Sequence, residues 1–287
     1  MKEVIFAGLA KNCLKTLQIN LKFIENFKKD FPEINLSVLI MESDSVDGTK
    51  EFLKNTNLDW IHSFNKDKLD EEFKYRTEKI AYCRNYLFGV IRKQKPTDFI
   101  YIPIDFDIEL FQFLDTVSFF NLLEKFLNKQ NIDALFPYGY PYYYDIHALR
   151  AYNWNTKSPW ESVKKINKFV PIGKFFTRYF MIYKKQKKYT DQDKLLRVMS
   201  AFGGIGLYKV NENVLNATYG IEKNLGNNSC EHVQFNDYFD NKFIDSSWII
   251  PSPNEHIEFK LLKIHNKIFY IINSLFSDLK NLIRFKF

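Results

Sequence analysis

The chain reads DFIYIPIDFD at residues 98–107, where the apolar run FIYIPI leads directly into Asp105-Phe106-Asp107. A short run of large apolar residues that ends on charged ones predicts a buried strand, here over 98–104. Along an extended chain, residues i and i+2 point to the same side, so Asp105 and Asp107 present their carboxylates together. Such a pair can hold one divalent cation and leave positions open for phosphate oxygens. The alternative is that they are two exposed aspartates that end a strand.

Predicted strands and helices alternate on both sides of this run. Further strands are predicted over 3–9, 36–41, 59–63 and 132–137, and helices over 12–29, 49–54, 71–94 and 115–129. Asn12 is the expected N-cap of the first helix. The alternation predicts an α/β fold whose mostly parallel sheet is flanked by helices. Ligands of such sheets bind beyond the carboxyl ends of the strands, so the polar clusters at 42–47 and 105–107 are expected to face one crevice.

The first of these clusters belongs to the stretch ESDSVDGT at residues 42–49. Glu42 and Asp44 follow a strand and can accept hydrogen bonds from a nucleobase N–H or a ribose hydroxyl. Asp47 and Thr49 can cap the next helix, and Gly48 permits the tight turn before it. Helix capping alone is the alternative function of this stretch.

Basic residues share one face of the helix predicted over 71–94. Arg76 and Lys79 are three residues apart, and Arg84 follows Arg76 by eight. Arginine suits bidentate contact with phosphate, which makes Arg84 a candidate for neutralising a diphosphate. A solvated helix surface is the alternative.

The stretch Cys230-Glu231-His232 supplies two further candidates. A neutral imidazole can be a metal ligand, and a carboxylate beside it can deprotonate an acceptor hydroxyl. A structural histidine is the alternative for His232. A reaction that takes no proton from an acceptor would leave Glu231 without this role. Cys230 is expected to be a packed thiol.

Taken in order, these motifs resemble a GT-A glycosyltransferase over residues 3–240. The resemblance rests on ESDSVDGT, on Arg76 and Arg84-Asn85, and on Asp105-Phe106-Asp107 after its strand. The later pieces, SAFGG at 200–204 and CEH at 230–232, resemble the branch related to fungal capsule-type mannosyltransferases.

The resemblance implies a GT-A, Rossmann-like domain over 1–256, with a nucleotide-sugar half at 1–137 and an acceptor half at 138–256. It implies a nucleoside-diphosphate sugar as donor, Mn²⁺ or Mg²⁺ as cofactor, and a hydroxyl of a glycan, lipid-linked or protein acceptor. It also implies roles for particular residues. The donor-binding set is Ala7, Glu42, Ser43, Asp44, Arg76, Arg84 and Asp105; the metal ligands are Asp107 and His232; the catalytic residues are Glu231 and Asp105.

The net charge of +7 is concentrated in two segments. Residues 157–197 hold twelve Lys or Arg against three acidic residues, and 258–287 hold six against two, so the rest of the chain is net acidic. Nucleic-acid binding is not expected, because no reading motif accompanies the basic charge. Basic residues mixed with large apolar ones fit an anionic membrane surface, here through 169–188 and 258–287. Residues 257–287 are predicted to form a basic amphipathic helical tail, which can instead dock on its own domain or dimerise.

The composition bears on the compartment. Three cysteines in 287 residues argue against a disulfide framework. The apolar run after Lys2 and Glu3 is too short for a signal peptide, and no run approaches the ~18 apolar residues of a membrane span. The expected location is cytoplasmic, with peripheral association at the inner face of a membrane as an option.

Two other functions compete with the glycosyltransferase interpretation. A sugar-phosphate nucleotidyltransferase also uses an α/β sheet and a metal, but it is expected to carry a glycine-rich basic loop after the first strand. Here AGLAKN, at residues 7–12, has one glycine. A non-catalytic, membrane-associated glycan-binding module is the other alternative, and it predicts no binding of nucleotides.

Overall fold

The computed structural model describes residues 3–94, 98–160, 174–190, 194–220 and 229–273, of which 174–177 by their backbone alone. Eight strands lie within these ranges: β1 (Glu3–Ala10), β2 (Leu36–Glu42), β3 (Ile61–Asn65), β4 (Phe99–Asp105), β5 (Ala134–Tyr140), β6 (Leu195–Val198), β7 (Leu207–Val210) and β8 (Lys242–Pro251). All of them belong to one sheet, in the order β3-β2-β1-β4-β7-β5-β8-β6.

The first four strands form the parallel part of the sheet. β1 pairs in parallel with β2 and β4, and β2 pairs in parallel with β3. β7 is antiparallel to both β4 and β5, while β5 and β8 are parallel to each other and β6 is antiparallel to β8. The predicted α/β fold is confirmed, and its sheet is parallel on the N-terminal side and mixed beyond β4.

The described helices cover both faces of the sheet: α1 (Leu14–Asp30), α2 (Thr49–Asn55), α3 (Leu69–Glu72), α4 (Arg76–Gln94), α5 (Thr116–Asn128), α6 (Lys174–Met181), α7 (Glu231–Asn236) and α8 (Asn254–Leu261). Residues 264–273 are also helical. The prediction of a single helix over 71–94 is wrong, because α3 ends at Glu72 and α4 begins at Arg76. Phe73, between them, has extended backbone angles, so the chain turns before the long helix starts.

Side-chain alternation along β1 creates a separate core on each face. Val4 and Phe6 pack in a cluster with the apolar faces of α1 and α5, where Phe27 and Phe119 meet edge to face. Ile5 and Ala7 lie in the other cluster, with α4 and α7. Successive residues of a strand point to opposite faces, so a strand buried on both sides must be apolar throughout. This explains why β1 and β4 were recognisable from sequence.

The start of α1 is capped by a distant loop. Asn12 is not the N-cap: that position is Cys13, which makes no side-chain cap. Instead, Asp47 Oδ2 accepts from the Leu14 amide at 3.0 Å, and Thr49 Oγ1 accepts from the Cys13 amide at 3.1 Å. Asn12 Oδ1 accepts from the Val46 amide at 2.8 Å, so it holds the capping loop in place.

The C-terminal tail is not one continuous helix where it is described. α8 ends at Leu261, and a second helical stretch covers 264–273 after a break at 262–263. The rest of the predicted tail, 274–287, lies outside the described residues, as does 169–173 of the other predicted membrane-contacting segment. None of the described helices has the length and apolar character needed to cross a bilayer.

Candidate active site

The end of β4 presents two carboxylates on one side and a phenyl ring on the other. Asp105 is the last residue of the strand, Phe106 is fully buried, and Asp107 is exposed in the following turn. The ring of Phe106 packs directly over Gly8 of β1, where an added Cβ would lie 2.3 Å from a ring carbon. The strand end is thus fixed from the core side, and Asp105 and Asp107 are both left in the wall of one pocket.

A glycine-containing loop holds this strand end from the other direction. Gly203 and Gly204 have φ angles of +79° and +87°, a region that favours glycine. The carbonyl of Gly204 accepts from the Asp105 amide at 2.7 Å, and the Gly203 amide donates to Asp145 Oδ2 at 2.9 Å. The loop therefore links Asp105 to Asp145, which also lines the pocket.

The pocket has a volume of about 740 Å³ and lies at the carboxyl ends of β1, β2 and β4. Both halves of the chain contribute to its wall. Residues from the first half include Lys11, Asn12, Ser43, Arg76, Lys79, Arg84, Asp105 and Asp107; residues from the second half include Tyr144, Asp145, His147, Trp160, Phe202, Glu231, His232 and His256. The size lies within the range of small-molecule sites. The two polar clusters that follow β2 and β4 do face one crevice, since Ser43 and Asp107 line the same pocket.

Arg84 is the buried cation of this site. Its Nη2 donates to Asp105 Oδ1 at 2.5 Å, and its Nε donates to Glu231 Oε1 at 3.4 Å. Only 2% of its side chain is exposed, and its guanidinium lies 5.0 Å from the ring centre of Phe202 and 5.7 Å from that of Tyr219. Arg84 thus joins a carboxylate of β4 to the first residue of α7.

The neighbouring charges shift the pKa values of Arg84 and Asp105. Burial alone would lower the pKa of Arg84, but the carboxylates of Asp105 and Glu231 outweigh burial and raise it. The pKa of Asp105 is raised to about 7, first by burial and then by Asp107 and Glu231, against the opposing effect of Arg84. The Asp105 side chain is 32% exposed, towards the pocket. Its pKa therefore reflects crowding by other acids as well as loss of water.

His232 carries a neutral imidazole whose ring nitrogens make no hydrogen bonds to the described residues. The residue is 1% exposed and its ring stacks on Phe202 at 3.5 Å between centres. Burial, assisted by Arg84, lowers its pKa well below the usual value. Neither ring nitrogen has a hydrogen-bond partner among the described residues, although Nε2 lies 3.6 Å from Glu231 Oε1. A buried, unpartnered lone pair in a pocket wall suits metal coordination.

Two predicted metal ligands are therefore present in the pocket wall, Asp107 and His232. Within the described ranges, Asp107 has no hydrogen-bond or ion-pair partner, so its carboxylate is available. The same ranges contain no group of three or more His, Cys, Asp or Glu arranged to hold a metal ion. The Asp107 carboxylate is the oxygen ligand that a hard cation prefers, and such a cation would take most of its other ligands from phosphate and water.

The acidic cluster after β2 is largely engaged within the fold. Glu42, 1% exposed, accepts from the Ser45 amide at 2.9 Å and from the Asn65 side-chain amide. Asp44 accepts from the amides of Lys68 and Asp70 at 2.6 and 3.1 Å, which caps α3. Ser43 lines the pocket, so among these three it is the one best placed to meet a nucleoside. The nucleoside contacts assigned to Glu42 and Asp44 stay predictions.

The remaining donor-binding candidates have different surroundings. Ala7 is 1% exposed inside the sheet core and does not line the pocket. Arg76 is exposed in the pocket wall at the start of α4. Arg84 directs two of its nitrogens to carboxylates, while its Nη1 has no hydrogen-bond partner among the described residues and the residue lines the pocket. The phosphate contacts predicted for Arg76 and Arg84 stay predictions.

Several pocket residues were missed by the sequence analysis. Lys11, directly after β1, forms an ion pair with Asp70, as does Lys79 of α4. Hydrogen bonds from these two lysines lower the pKa of Asp70 to about 2. The position of Lys11 after a parallel strand is the same signal that identified Asp105, and it was available in the sequence. Asp145 and His147 follow no such strand end and carried no signal.

No family model matches the chain, and no curated protein matches it in sequence. Among solved structures, it is similar to S. aureus TarS 1–349, at 10% identity and a TM-score of 0.47, over 96% of this chain and 71% of that one. It is similar to mannosyl-3-phosphoglycerate synthase from Rubrobacter xylanophilus at 11% identity and a TM-score of 0.44, over 99% and 75% of the two chains. It is also similar to glucosyl-3-phosphoglycerate synthase from Mycobacterium tuberculosis, in complex with Mn²⁺, UDP and phosphoglyceric acid, at 9% identity and a TM-score of 0.40, over 96% and 78%.

Proposed function

We propose that this protein is a metal-dependent glycosyltransferase that moves a sugar from a nucleoside-diphosphate sugar to a hydroxyl group of a glycan, lipid-linked or protein acceptor. One observation carries the proposal. The pocket at the carboxyl ends of β1, β2 and β4 gathers Asp105 and Asp107, the α7 residues Glu231 and His232, and cationic side chains such as Arg76. This combination of carboxylates, a neutral imidazole and cations matches the chemistry that a sugar diphosphate requires.

Each half of the chain binds one of the two substrates. Residues 1–137 bind the donor, because Ser43, Arg76, Lys79 and Lys11 line the pocket from that side of the sequence. Residues 138–256 receive the acceptor, with aromatic and imidazole side chains such as Tyr144 and His147. Aromatic faces pack on the C–H surfaces of sugars, and lysine and arginine neutralise phosphate.

Asp107 and His232 would hold the Mn²⁺ or Mg²⁺ ion. When bound, the cation supplies positive charge that stabilises the departing nucleoside diphosphate. Asp107 contributes an exposed carboxylate and His232 an imidazole that stays neutral, because its pKa is well below the usual value. The His232 imidazole can therefore bind a cation without first losing a proton at neutral pH.

Arg84 positions the two carboxylates beside the reacting groups. It fixes Asp105, which accepts hydrogen bonds from sugar or ribose hydroxyls, and it fixes Glu231 through Oε1. In an inverting reaction, Glu231 takes the proton of the acceptor hydroxyl as the new glycosidic bond forms. In a retaining reaction, Glu231 takes no proton and serves only as a hydrogen-bond partner of Arg84. The anomeric configuration of the product distinguishes the inverting from the retaining reaction.

A thermal-shift panel of UDP, GDP, CMP and ADP, each with and without Mn²⁺, tests the proposal. One nucleotide is expected to raise the melting temperature, more so with Mn²⁺, because a ligand at a hundredfold excess over Kd adds about 2.7 kcal/mol to the free energy of unfolding. Asp107→Ala should abolish the Mn²⁺-dependent increment and sugar transfer from the corresponding donor.

Glu109→Ala is the matched control, since Glu109 is an acidic residue two positions further on that does not line the pocket. It should keep both the increment and the transfer. If no nucleotide raises the melting temperature with or without Mn²⁺, the glycan-binding module becomes the better interpretation. An unchanged Mn²⁺ increment in Asp107→Ala would remove Asp107 from the metal site.

A further inference from the structure

Large apolar side chains are exposed together near the C-terminal end of the described chain. Leu261 is 50% exposed, Ile264 80%, Ile268 56%, Phe269 67% and Ile272 44%. We call these five residues the C-terminal apolar patch. Single exposed apolar residues are normal on protein surfaces, but a contiguous group marks an interaction surface.

Three residues of the patch form a row on the helical stretch 264–273, and this stretch is anchored to the domain. Ile264, Ile268 and Ile272 recur every fourth residue, which places them on one side of the helical stretch 264–273. Tyr270, on the other side of this helix, and Ile271, at the edge of the isoleucine row, pack against a small cluster built on Tyr183 and Phe259. The helix is therefore held to the domain while its isoleucine row faces outward.

The same cluster brings in α6 and its basic surroundings. Tyr179 and Ile182 pack in it, and the neighbouring Phe180 is 47% exposed with Lys184 Nζ 5.5 Å from its ring centre. Residues 174–190 and 257–273 together hold nine Lys or Arg and one acidic residue, Glu258. Of these cations, Arg178 lies 5.9 Å from the ring centre of Tyr183 and Lys267 Nζ lies 5.6 Å from that of Phe259, so positive charge adjoins the helix that carries the patch.

We propose that this surface docks on an anionic lipid bilayer. The apolar side chains enter the boundary between headgroups and acyl chains, and the lysines and arginines remain at the level of the anionic headgroups. A second copy of the chain fits less well, because apposing two such surfaces brings their positive charges together. Charge complementarity therefore selects the bilayer.

α8 connects this surface to the pocket. Its first residues, Asn254, Glu255 and His256, line the pocket, and its last residue, Leu261, belongs to the patch. An eight-residue helix spans about 12 Å, so docking brings the pocket close to the membrane. If the protein has the function proposed above, on which this step rests, the placement favours a lipid-linked acceptor whose sugar or hydroxyl lies at the headgroup level.

Vesicle flotation of the full chain tests the docking directly. Phosphatidylcholine vesicles with phosphatidylglycerol should carry the protein, vesicles without it should not, and added salt should weaken binding because headgroup attraction is screened. The double substitution Ile264→Glu and Ile268→Glu should lower the apparent partition coefficient at least about tenfold, since two apolar anchors become charged. Val117→Glu is the matched control, because Val117 is 58% exposed on α5, outside the patch, and should leave binding unchanged.

Three results would overturn the proposal: absence of binding to anionic vesicles, equal binding to neutral ones, or undiminished binding of the double variant. Light scattering that finds a dimer in the parent and a monomer in the double variant, with no vesicle binding by either, would assign the patch to self-association instead. Melting curves check that the variants fold, and the salt dependence of the parent needs no substitution. Asp107→Ala should bind vesicles like the parent, so failed docking and failed sugar transfer are separable results.

Discussion

At the scale of single residues, Arg84 shows how a buried charge can organise a site. Its guanidinium pairs with Asp105 and Glu231 and lies over the rings of Phe202 and Tyr219. Its Nη1 has no hydrogen-bond partner among the described residues, and the predicted phosphate contact stays a prediction. Asp105 lies 21 positions and Glu231 147 positions from Arg84 in the sequence, and the sequence does not show that these elements converge in the fold. Residue type indicated that Arg84 is a candidate, and the tertiary contacts show which carboxylates it holds.

Replacing Arg84 by methionine should strongly destabilise the protein. Removing one partner of a buried ion pair leaves uncompensated charge, which costs about 3 kcal/mol or more. We expect a lower denaturant midpoint in urea unfolding followed by circular dichroism. Arg92→Met on the exposed side of the same helix serves as the control and should unfold almost like the parent. Equal effects of the two substitutions would contradict the positioning role of Arg84.

The raised pKa of Asp105 predicts a pH-dependent stability. Because the folded state holds this proton more tightly than the unfolded chain, the stabilisation is fully present below the ordinary pKa of 3.8 and is lost as pH rises through about 7. Without nucleotide, the melting temperature of the parent should therefore fall relative to that of Asp105→Asn between about pH 4 and about pH 7, and the difference should level off above that. His232 gives both proteins the same opposite trend, because the unfolded chain binds a proton at the ordinary pKa of 6.5 and the folded protein does not, so the difference between the two proteins reports Asp105. A constant difference between the two proteins across the window would refute the raised pKa.

At the scale of elements, the loop at 42–49 joins the starts of three helices. Asp44 caps α3, Asp47 accepts from the first residue of α1 and from Thr49 of α2, and Glu42 ties the loop to β3 through Asn65. Helix N-termini attract carboxylates because their amides are unsatisfied and their dipoles are positive there. The sequence predicted capping for Asp47 and Thr49 but only of the next helix, since local patterns carry no information on helices reached through folding.

The packing of Phe106 on Gly8 supports a prediction about the strand end. Gly8→Ala should push the Phe106 ring away, because its Cβ would lie 2.3 Å from that ring. Overpacking of this kind costs about 1–3 kcal/mol and should also weaken nucleotide-dependent thermal stabilisation, since Phe106 separates the two site aspartates.

Gly89→Ala on α4 is the matched control for this substitution. No atom lies within 4 Å of its added Cβ, and alanine favours a helix interior by about 0.5–1 kcal/mol. Its melting temperature should rise while that of Gly8→Ala falls. A rise in both would show that the strand end tolerates the methyl group.

At the scale of the molecule, the sequence predicted the parallel half of the sheet far better than the mixed half. β1, β2 and β4 are apolar on both faces and were recognisable from short runs. β8 was missed because Lys242, Asp245 and Ser246 interrupt its apolar pattern, although all three are buried. Its pairing with β5 shifts register after Asp245, and Lys125 lies 3.6 Å from that carboxylate. Such pairings join distant segments, and no local periodicity encodes them.

The position of β7 limits how substrates can reach the pocket. β7 comes from the second half of the chain, yet it is hydrogen-bonded to β4 on one side and to β5 on the other. A hinge between residues 1–137 and residues 138–256 would have to break the pairing of β7 with one of these neighbours. We therefore expect a ligand to enter and leave the pocket while the central sheet stays intact.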